Sequence, residues 1–186
     1  MCGMADPPTL ETERLVLRPY TLADAPRIAS LAGDRDVAAG TLTLPHPYEE
    51  RHAVEWIRAA ESRFELGELV SLAITLRDSK TLIGSIGLRF ASEHSRAELG
   101  YWLGKDYWNM GYATEASRVV VNYGFEIRGM SRIFALHFTR NPASGRVLQK
   151  IGMKHEGCLR QHLKRWDTLV DCEVYGILSE ELEARP

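Results

Sequence analysis

The run Tyr107-Trp108-Asn109-Met110-Gly111-Tyr112-Ala113 passes from aromatic and polar residues into the helical rhythm of "TEASRVVVNYGF". A helix that begins on Gly-Tyr-Ala leaves its first backbone N–H groups unpaired beside a residue without a side chain. Such an end binds phosphate through hydrogen bonds and the positive end of the helix dipole. A glycine at a helix start also serves close packing alone, so both readings stand at this point. Two nucleotide readings drop out. A Walker loop needs Gly-Lys-Ser/Thr, and a dinucleotide fingerprint needs three glycines after an early strand, where only Gly111 is available.

Other chemistry is thin on the ground. The histidines form no HExxH, and Cys2, Cys158 and Cys172 form no CxxC pair, so we expect neither a metal site nor a disulfide framework, in keeping with a reducing cytoplasm. His46, His137 and His162 are candidate bases, each with a plainer reading as loop polarity, one face of a strand, or a surface hairpin. Trp102, Tyr107, Trp108 and Trp166 suit a cleft lining or, equally, core and interface. With 23 Lys and Arg against 25 Asp and Glu, the net charge of −2 calls for no polyanion partner. The basic run "HLKRW" is too short to imply nucleic acid. No segment reaches membrane-spanning length, and the N-terminus lacks a basic region followed by an apolar run. The expected setting is cytoplasmic, away from membranes.

The elements that must hold the Gly111 turn follow from periodicity. The chain's 186 residues, 45% of them hydrophobic, suit one domain, taken as 9–184 with a tail over 1–8. "ERLVLRPY" reads as a strand and "TLADAPRIASLA" as a helix, with Thr21 or Asp24 as cap. "GTLTLPHPY" reads as a loop, and "EERHAVEWIRAAESRFEL" as a helix packing Ala53, Trp56, Ile57, Ala60 and Phe64. "LVSLAITL" and "TLIGSIGLRF" form a hairpin around "RDSK". "RAELGYWLG" is the next strand, and Gly100 in its interior marks a bulge or a close approach by backbone or ligand. After it, the Gly111 helix packs Ala113, Ala116, Val120, Tyr123 and Ile127, with Arg128 and Gly129 at its end. "RIFALHFT" is a strand. "NPASGRVLQKIG" is a short helix capped by Asn141, with Pro142 first and Gly152 as its stop. Two strands in "GCLRQHLKRWDTLVDCEVYGIL" close the chain. The order β-α-α-β-β-β-α-β-α-β-β is α+β, a mixed central sheet flanked by helices.

Set together, "LGYWLGKDYWNMGYATEA" and "NPASGRVLQKIGM", with "LETERLVLRPYTLADA" and "LIGSIGLR", resemble the GNAT N-acetyltransferases and, within them, the RimJ/RimL branch. The resemblance runs from about Thr9 to the final strands. It implies the GNAT fold, acetyl-CoA as acetyl donor, and an acceptor that is a primary amine: a protein N-terminal α-amine in this branch, or a small molecule in its relatives. It places the CoA pyrophosphate on the turn Trp108, Asn109, Met110, Gly111, Tyr112, Ala113 and Thr114. Trp108 stands where the family has Arg or Gln, and Met110 where the branch has Gly or a polar residue, but neither removes a backbone N–H. It places pantetheine against Asn141 and Ser144, and the thioester near the backbone of Tyr101, Trp102 and Leu103, whose N–H groups are the candidate oxyanion donors. Glu98, beside the strand splay, is then the candidate base for the amine, with a surface ion pair to Arg96 as its plainer reading. The tyrosine that many family members use as acid would fall at Leu148; Ser144 is the candidate in its place. Transfer is direct, without a covalent acyl-enzyme. A homodimer is common in the branch. The rival from outside enzymology is a CoA-binding sensor that keeps the fold without the catalysis.

Overall fold

The computed structural model describes residues 6–183; residues 1–5 of the expected tail, Cys2 among them, and the expected domain end at 184 lie outside these. The strands are β1 (Leu10–Glu11), β2 (Leu15–Arg18), β3 (Leu69–Leu76), β4 (Leu82–Ala91), β5 (Arg96–Leu103), β6 (Arg132–Phe138), β7 (Lys154–Arg165) and β8 (Thr168–Leu178). The helices are α1 (Ala25–Ala32), α2 (Arg35–Ala39), α3 (Glu50–Glu65), α4 (Tyr112–Glu126), α5 (Pro142–Lys150) and α6 (Ser179–Glu183). The strands form one sheet in the order β1-β2-β3-β4-β5-β6-β8-β7. Every pair is antiparallel except β5 with β6, the two joined through α4. The α+β reading with a mixed sheet holds. Two helices escaped the sequence reading, α2 and α6, both only five residues long, too short for a 3.6-residue period to show. Short β1 and the start of β7 at Lys154 escaped it for a similar reason.

The sheet's apolar residues divide by strand alternation. Ile86 and Leu88 of β4 join Ala116, Val120, Val121 and Phe125 of α4 and Leu148 of α5 in the main core. A smaller cluster packs Ala25, Ile28 and Leu31 of α1 and Ala53 and Ile57 of α3 over Ala73 and Leu82. The α3 expectation is met at Ala53, Ile57, Ala60 and Phe64, while Trp56 is only half-buried. On α4 the packed stripe is Ala116, Val120 and Gly124, flanked by Ser117, Val121 and Phe125. Ile127, expected on that face, is the C-cap of α4 and is 69% exposed. A Cβ on Gly124 would lie 2.7 Å from Ile133 Cδ1 and 2.8 Å from Leu88 Cδ1, so this glycine lets α4 approach the sheet closely.

The parallel pairing of β5 and β6 is brief. It covers Arg96–Arg132, Ala97–Ile133 and Glu98–Phe134, and beyond Glu98 the strands part. On its other side β5 keeps an unbroken register with β4, Gly100 facing Gly87. There is no bulge at Gly100; a Cβ there would meet nothing within 4 Å, so this glycine marks open space. α5 is capped as expected: the Asn141 side chain accepts the Ser144 N–H, and Gly152 sits at φ +84° just past the end. β7 is the outermost strand, and its ladder with β8 shifts register between His155 and Gly157 and between Leu159 and Leu163. Among the described residues no helix is long and apolar enough to cross a membrane.

The entry to α1 rests on a half-hidden ion pair. Asp24 accepts two Arg18 N–H groups at 2.8 Å and the Thr21 backbone N–H at 2.7 Å, so both expected cap residues take part, with Asp24 as acceptor. Burial pushes the Asp24 carboxyl up, but the bonds from Arg18 and Thr21 outweigh it and hold its pKa below the ordinary 3.8. A depressed carboxyl stabilises the fold above its unfolded pKa and loses that effect as pH falls through the folded value. Asp24→Asn should therefore cost about 1–2 kcal/mol at neutral pH in urea unfolding, since it removes the carboxylate from a guanidinium that is partly exposed and keeps the Pro19 carbonyl. The difference from wild type should shrink once pH drops below about 4.

Candidate functional site

The parting of β5 from β6 opens into a cleft of about 1320 Å³. Its floor is the sheet face that carries Ser71, Ser85, Gly87, Arg89, Glu98 and Gly100, and its mouth is bounded by the starts of α4 and α5. One wall is α3 with Tyr48, and another is the irregular stretch from Ala39 to Pro45. Of the residues singled out from the sequence, Glu98, Tyr101, Trp102, Leu103, Trp108, Asn109, Gly111, Tyr112, Ala113, Thr114, Asn141 and Ser144 all line this one cleft. The Met110 side chain is exposed outside it, leaving only its backbone in the turn.

The turn before α4 is built for a backbone approach. Asn109 and Gly111 both take left-handed conformations, φ +61° and +84°, which Gly and Asn adopt at least cost. Gly111 is the N-cap of α4, and Glu115 is the first residue whose N–H finds a carbonyl below it, that of Gly111, at 3.1 Å. Trp108 anchors the turn by donating its indole N–H to the Leu103 carbonyl at 2.9 Å. Arg14 is a partner that sequence reasoning missed. It donates to the Met110 carbonyl at 3.0 Å and to Glu115 at 2.7 Å, and stacks 4.6 Å above the Tyr112 ring. Burial raises the Glu115 pKa; bonds from Thr12 and Arg14 more than reverse this and keep it low. No local pattern links Arg14 to residue 110, because the contact spans 96 positions.

On the floor, Glu98 lies 3.7 Å from Arg89 across the β4–β5 ladder. The plainer reading paired it with Arg96, which instead stacks toward Phe134. Antiparallel register, invisible in sequence, decides between them. At the α5 end, the Tyr101 hydroxyl meets Ser144 Oγ at 2.8 Å. Burial pushes the Tyr101 pKa up to about 12, with the Ser144 bond pulling the other way. Leu148 is wholly buried in the main core, so α5 offers no hydroxyl there. Tyr20 was also missed; its hydroxyl bonds Ser85 at 2.6 Å and Ser71 at 3.1 Å on the floor. Among the histidines, His46 and His162 are exposed, the latter at the cleft rim. His137 is buried, its Nδ1 against the Phe138 carbonyl at 2.9 Å. Trp102, Tyr107 and Trp108 border the cleft, while Trp166 is exposed on the β7–β8 turn. Cys158 is exposed and Cys172 buried, and burial raises both thiol pKa values away from the reactive thiolate. Among the described residues no three of His, Cys, Asp and Glu converge as metal ligands.

The family model "Acetyltransferase (GNAT) domain" matches residues 14–154. The uncharacterized N-acetyltransferase YoaA of Bacillus subtilis is 38% identical over 172 residues, covering 92% of this chain and 97% of its own. A GNAT-family acetyltransferase from Bacillus anthracis superposes with a TM-score of 0.82 at 26% identity, over 93% of this chain and 99% of its own. The ribosomal-protein-S5-alanine acetyltransferase of Vibrio fischeri shares the fold, with a TM-score of 0.83 at 18% identity over 96% and 100% of the two chains.

The burial of the Tyr101 hydroxyl has a measurable signature. A tyrosine held above its ordinary pKa of 10 keeps its contribution to stability below that pH and loses it as pH rises toward the folded value of about 12. Tyr101→Phe should flatten the fall in thermal stability between about pH 10 and 12, and cost about 1 kcal/mol at pH 7 through the lost hydrogen bond. An unchanged alkaline limb would place the Tyr101 hydroxyl in water.

Proposed function

The chain belongs to the GNAT acetyltransferase family, and from that premise we propose that it moves an acetyl group from acetyl-CoA to the α-amine of a protein or peptide N-terminus, as in the RimJ/RimL branch its sequence resembles. The residues present fit the donor. The N–H groups of Gly111, Tyr112, Ala113 and Thr114 open α4 beside two left-handed residues, a cradle for pyrophosphate, and Trp108, Asn109 and Met110 complete the turn. The edge of β5 released beyond Glu98, from Tyr101 through Trp102 to Leu103, and Asn141 at the start of α5 would take the pantetheine arm. Acetyl-CoA supplies an activated thioester; the chain positions an amine against it and manages two protons. Glu98 accepts the proton of the incoming amine, directly or through water. Backbone N–H groups on the free edge of β5 stabilise negative charge on the carbonyl oxygen. Ser144, held by the Tyr101 hydroxyl at 2.8 Å, serves the departing thiolate.

The observation that carries the choice of acceptor is the sharing of the Glu98 charge with Arg89 at 3.7 Å. Held toward Arg89 on the open floor, that carboxylate is less free to turn to a substrate, which suits an amine that needs little help. An α-amine has a reference pKa of about 8, so roughly a tenth is neutral at pH 7, whereas a lysine-type amine near 10.4 is neutral in only about one part in 2,500. A second reading, a small polyamine or aminoglycoside, is favoured by Glu55 beside Tyr48 and Trp56 on the opposite wall, where aromatic faces and a carboxylate attract a cation.

Thiol release from acetyl-CoA against peptides beginning with Ser, Ala or Thr, against spermidine and against kanamycin separates these readings. We expect peptide turnover; acetyl-CoA binding with no turnover on any amine would leave the sensor. Glu98→Gln should lose about tenfold on a peptide α-amine at pH 7 and recover by about pH 9, because the neutral fraction limits what a base can add. On spermidine the loss should exceed about 10²-fold and persist past pH 9. Ser144→Ala should lower turnover without alkaline recovery. Gly111→Val, forced into a left-handed conformation with its Cβ 3.3 Å from Arg14 Nη2, should weaken acetyl-CoA at least tenfold, about 1.4 kcal/mol, by calorimetry on a protein that still unfolds cooperatively.

A further inference from the structure

Arg165, the last residue of β7, is 6% exposed, and its hydrogen-bond partners are three backbone carbonyls rather than a carboxylate. It donates to Ala38 at 2.6 Å, Leu44 at 2.7 Å and Leu42 at 3.1 Å. Its Nε finds no partner among the described residues, and its guanidinium lies 4.7 Å from the Trp166 ring. A buried cation without a counter-ion is costly, and here burial, with Arg140 nearby, pulls its pKa below the ordinary value. The carbonyls it gathers belong to the C-terminus of α2 and to the irregular stretch after it, the stretch that walls the cleft from Ala39 to Pro45. That stretch has no ladder to satisfy its backbone. Its own apolar anchor is Val37 and Leu44 against Ala32, with half-buried Tyr48 and Trp102 packed beside them. Arg140 holds the Ala39 carbonyl at 3.1 Å and Lys105 pairs with Asp36, but both ties fall on α2. Thr41 bonds back to the Ala38 carbonyl, and beyond it the side-chain hydrogen bonds that hold this wall among the described residues come from Arg165.

We propose that Arg165 is a positioning residue for the acceptor: from outside the cleft, it fixes the Ala38–Leu44 backbone as the wall against which the amine substrate is oriented. The donor turn at Gly111 lies on other elements and is tied by Arg14 and Trp108, so the effect of Arg165 should fall on the acceptor and spare acetyl-CoA. This rests on the acetyl-transfer reading above for its kinetic arm alone. Lysine can reach one or two of the three carbonyls, where the planar guanidinium reaches all three.

The test compares wild type, Arg165→Met and Arg165→Lys by hydrogen exchange of the amides of 41–44, by calorimetry with acetyl-CoA, and by kinetics on a hexapeptide with an N-terminal serine. In Arg165→Met the amides should exchange at least tenfold faster, acetyl-CoA affinity should stay within twofold, and kcat/KM for the peptide should fall at least tenfold, mainly through KM. Arg165→Lys should lie between. Unchanged exchange at 41–44, or a matching loss of acetyl-CoA affinity, would overturn the proposal. If Arg165→Met loses its cooperative unfolding transition, Arg165→Lys decides by the same readings. If wild type acetylates no amine tested, the functional reading fails while exchange and acetyl-CoA affinity still decide the role of Arg165.

Discussion

The molecule turns on one incomplete pairing. β5 and β6 are hydrogen-bonded neighbours for three residue pairs and then separate after Glu98. Parallel strands joined by a helix are held together by the packing of that helix as much as by their ladder. Here α4 packs over β4, β5 and β6, so the sheet survives the break. The residues proposed to act line the gap: the free edge of β5, the start of α4 at one lip, the start of α5 at the other. The Tyr101–Ser144 bond spans the gap from strand to helix. It is the kind of contact that sets its width.

Much of this could be read from the sequence because local physics wrote it there. A glycine preceding a helical period, Asn-Pro at a helix start, and apolar runs about a polar turn each declare their element without a partner. Gly100 was legible only in part: an interior strand glycine signals space or a bulge, and only the register with Gly87 shows that it is space. Long-range pairings left no trace. Arg14 with Met110, Arg89 with Glu98 and Arg165 with Leu42 join residues that are unremarkable in their own neighbourhoods. The misplaced Ile127 shows the other limit. A period continues on paper into the C-cap, where the side chain is left uncovered.

Arginines recur at these distant ties for a physical reason. A planar guanidinium offers five donors in fixed directions, so it can gather several carbonyls that no regular structure satisfies. Arg165 gathers three from α2 and the stretch that follows, while Arg140 holds one on α2 and Arg14 joins one in the turn before α4 to Glu115. The irregular segments bordering the cleft are thereby made definite without becoming helices or strands. Binding surfaces gain from such order, since a wall already in place loses little entropy when a ligand arrives.

The outermost strand, β7, has its own consequence for life at high concentration. A long, flat, unpaired edge is a template on which another copy can grow the sheet. β7 is twelve residues long, yet its ladder slips twice, and Gly157 and Gln161 sit at φ +148° and +49°. At the second slip the Gln161 N–H turns inward to the Asp171 carboxylate at 2.7 Å. An incoming strand would find donors and acceptors out of step in both places, and Lys164 and Arg160 standing in its path. The irregular edge offers another copy no regular ladder to extend.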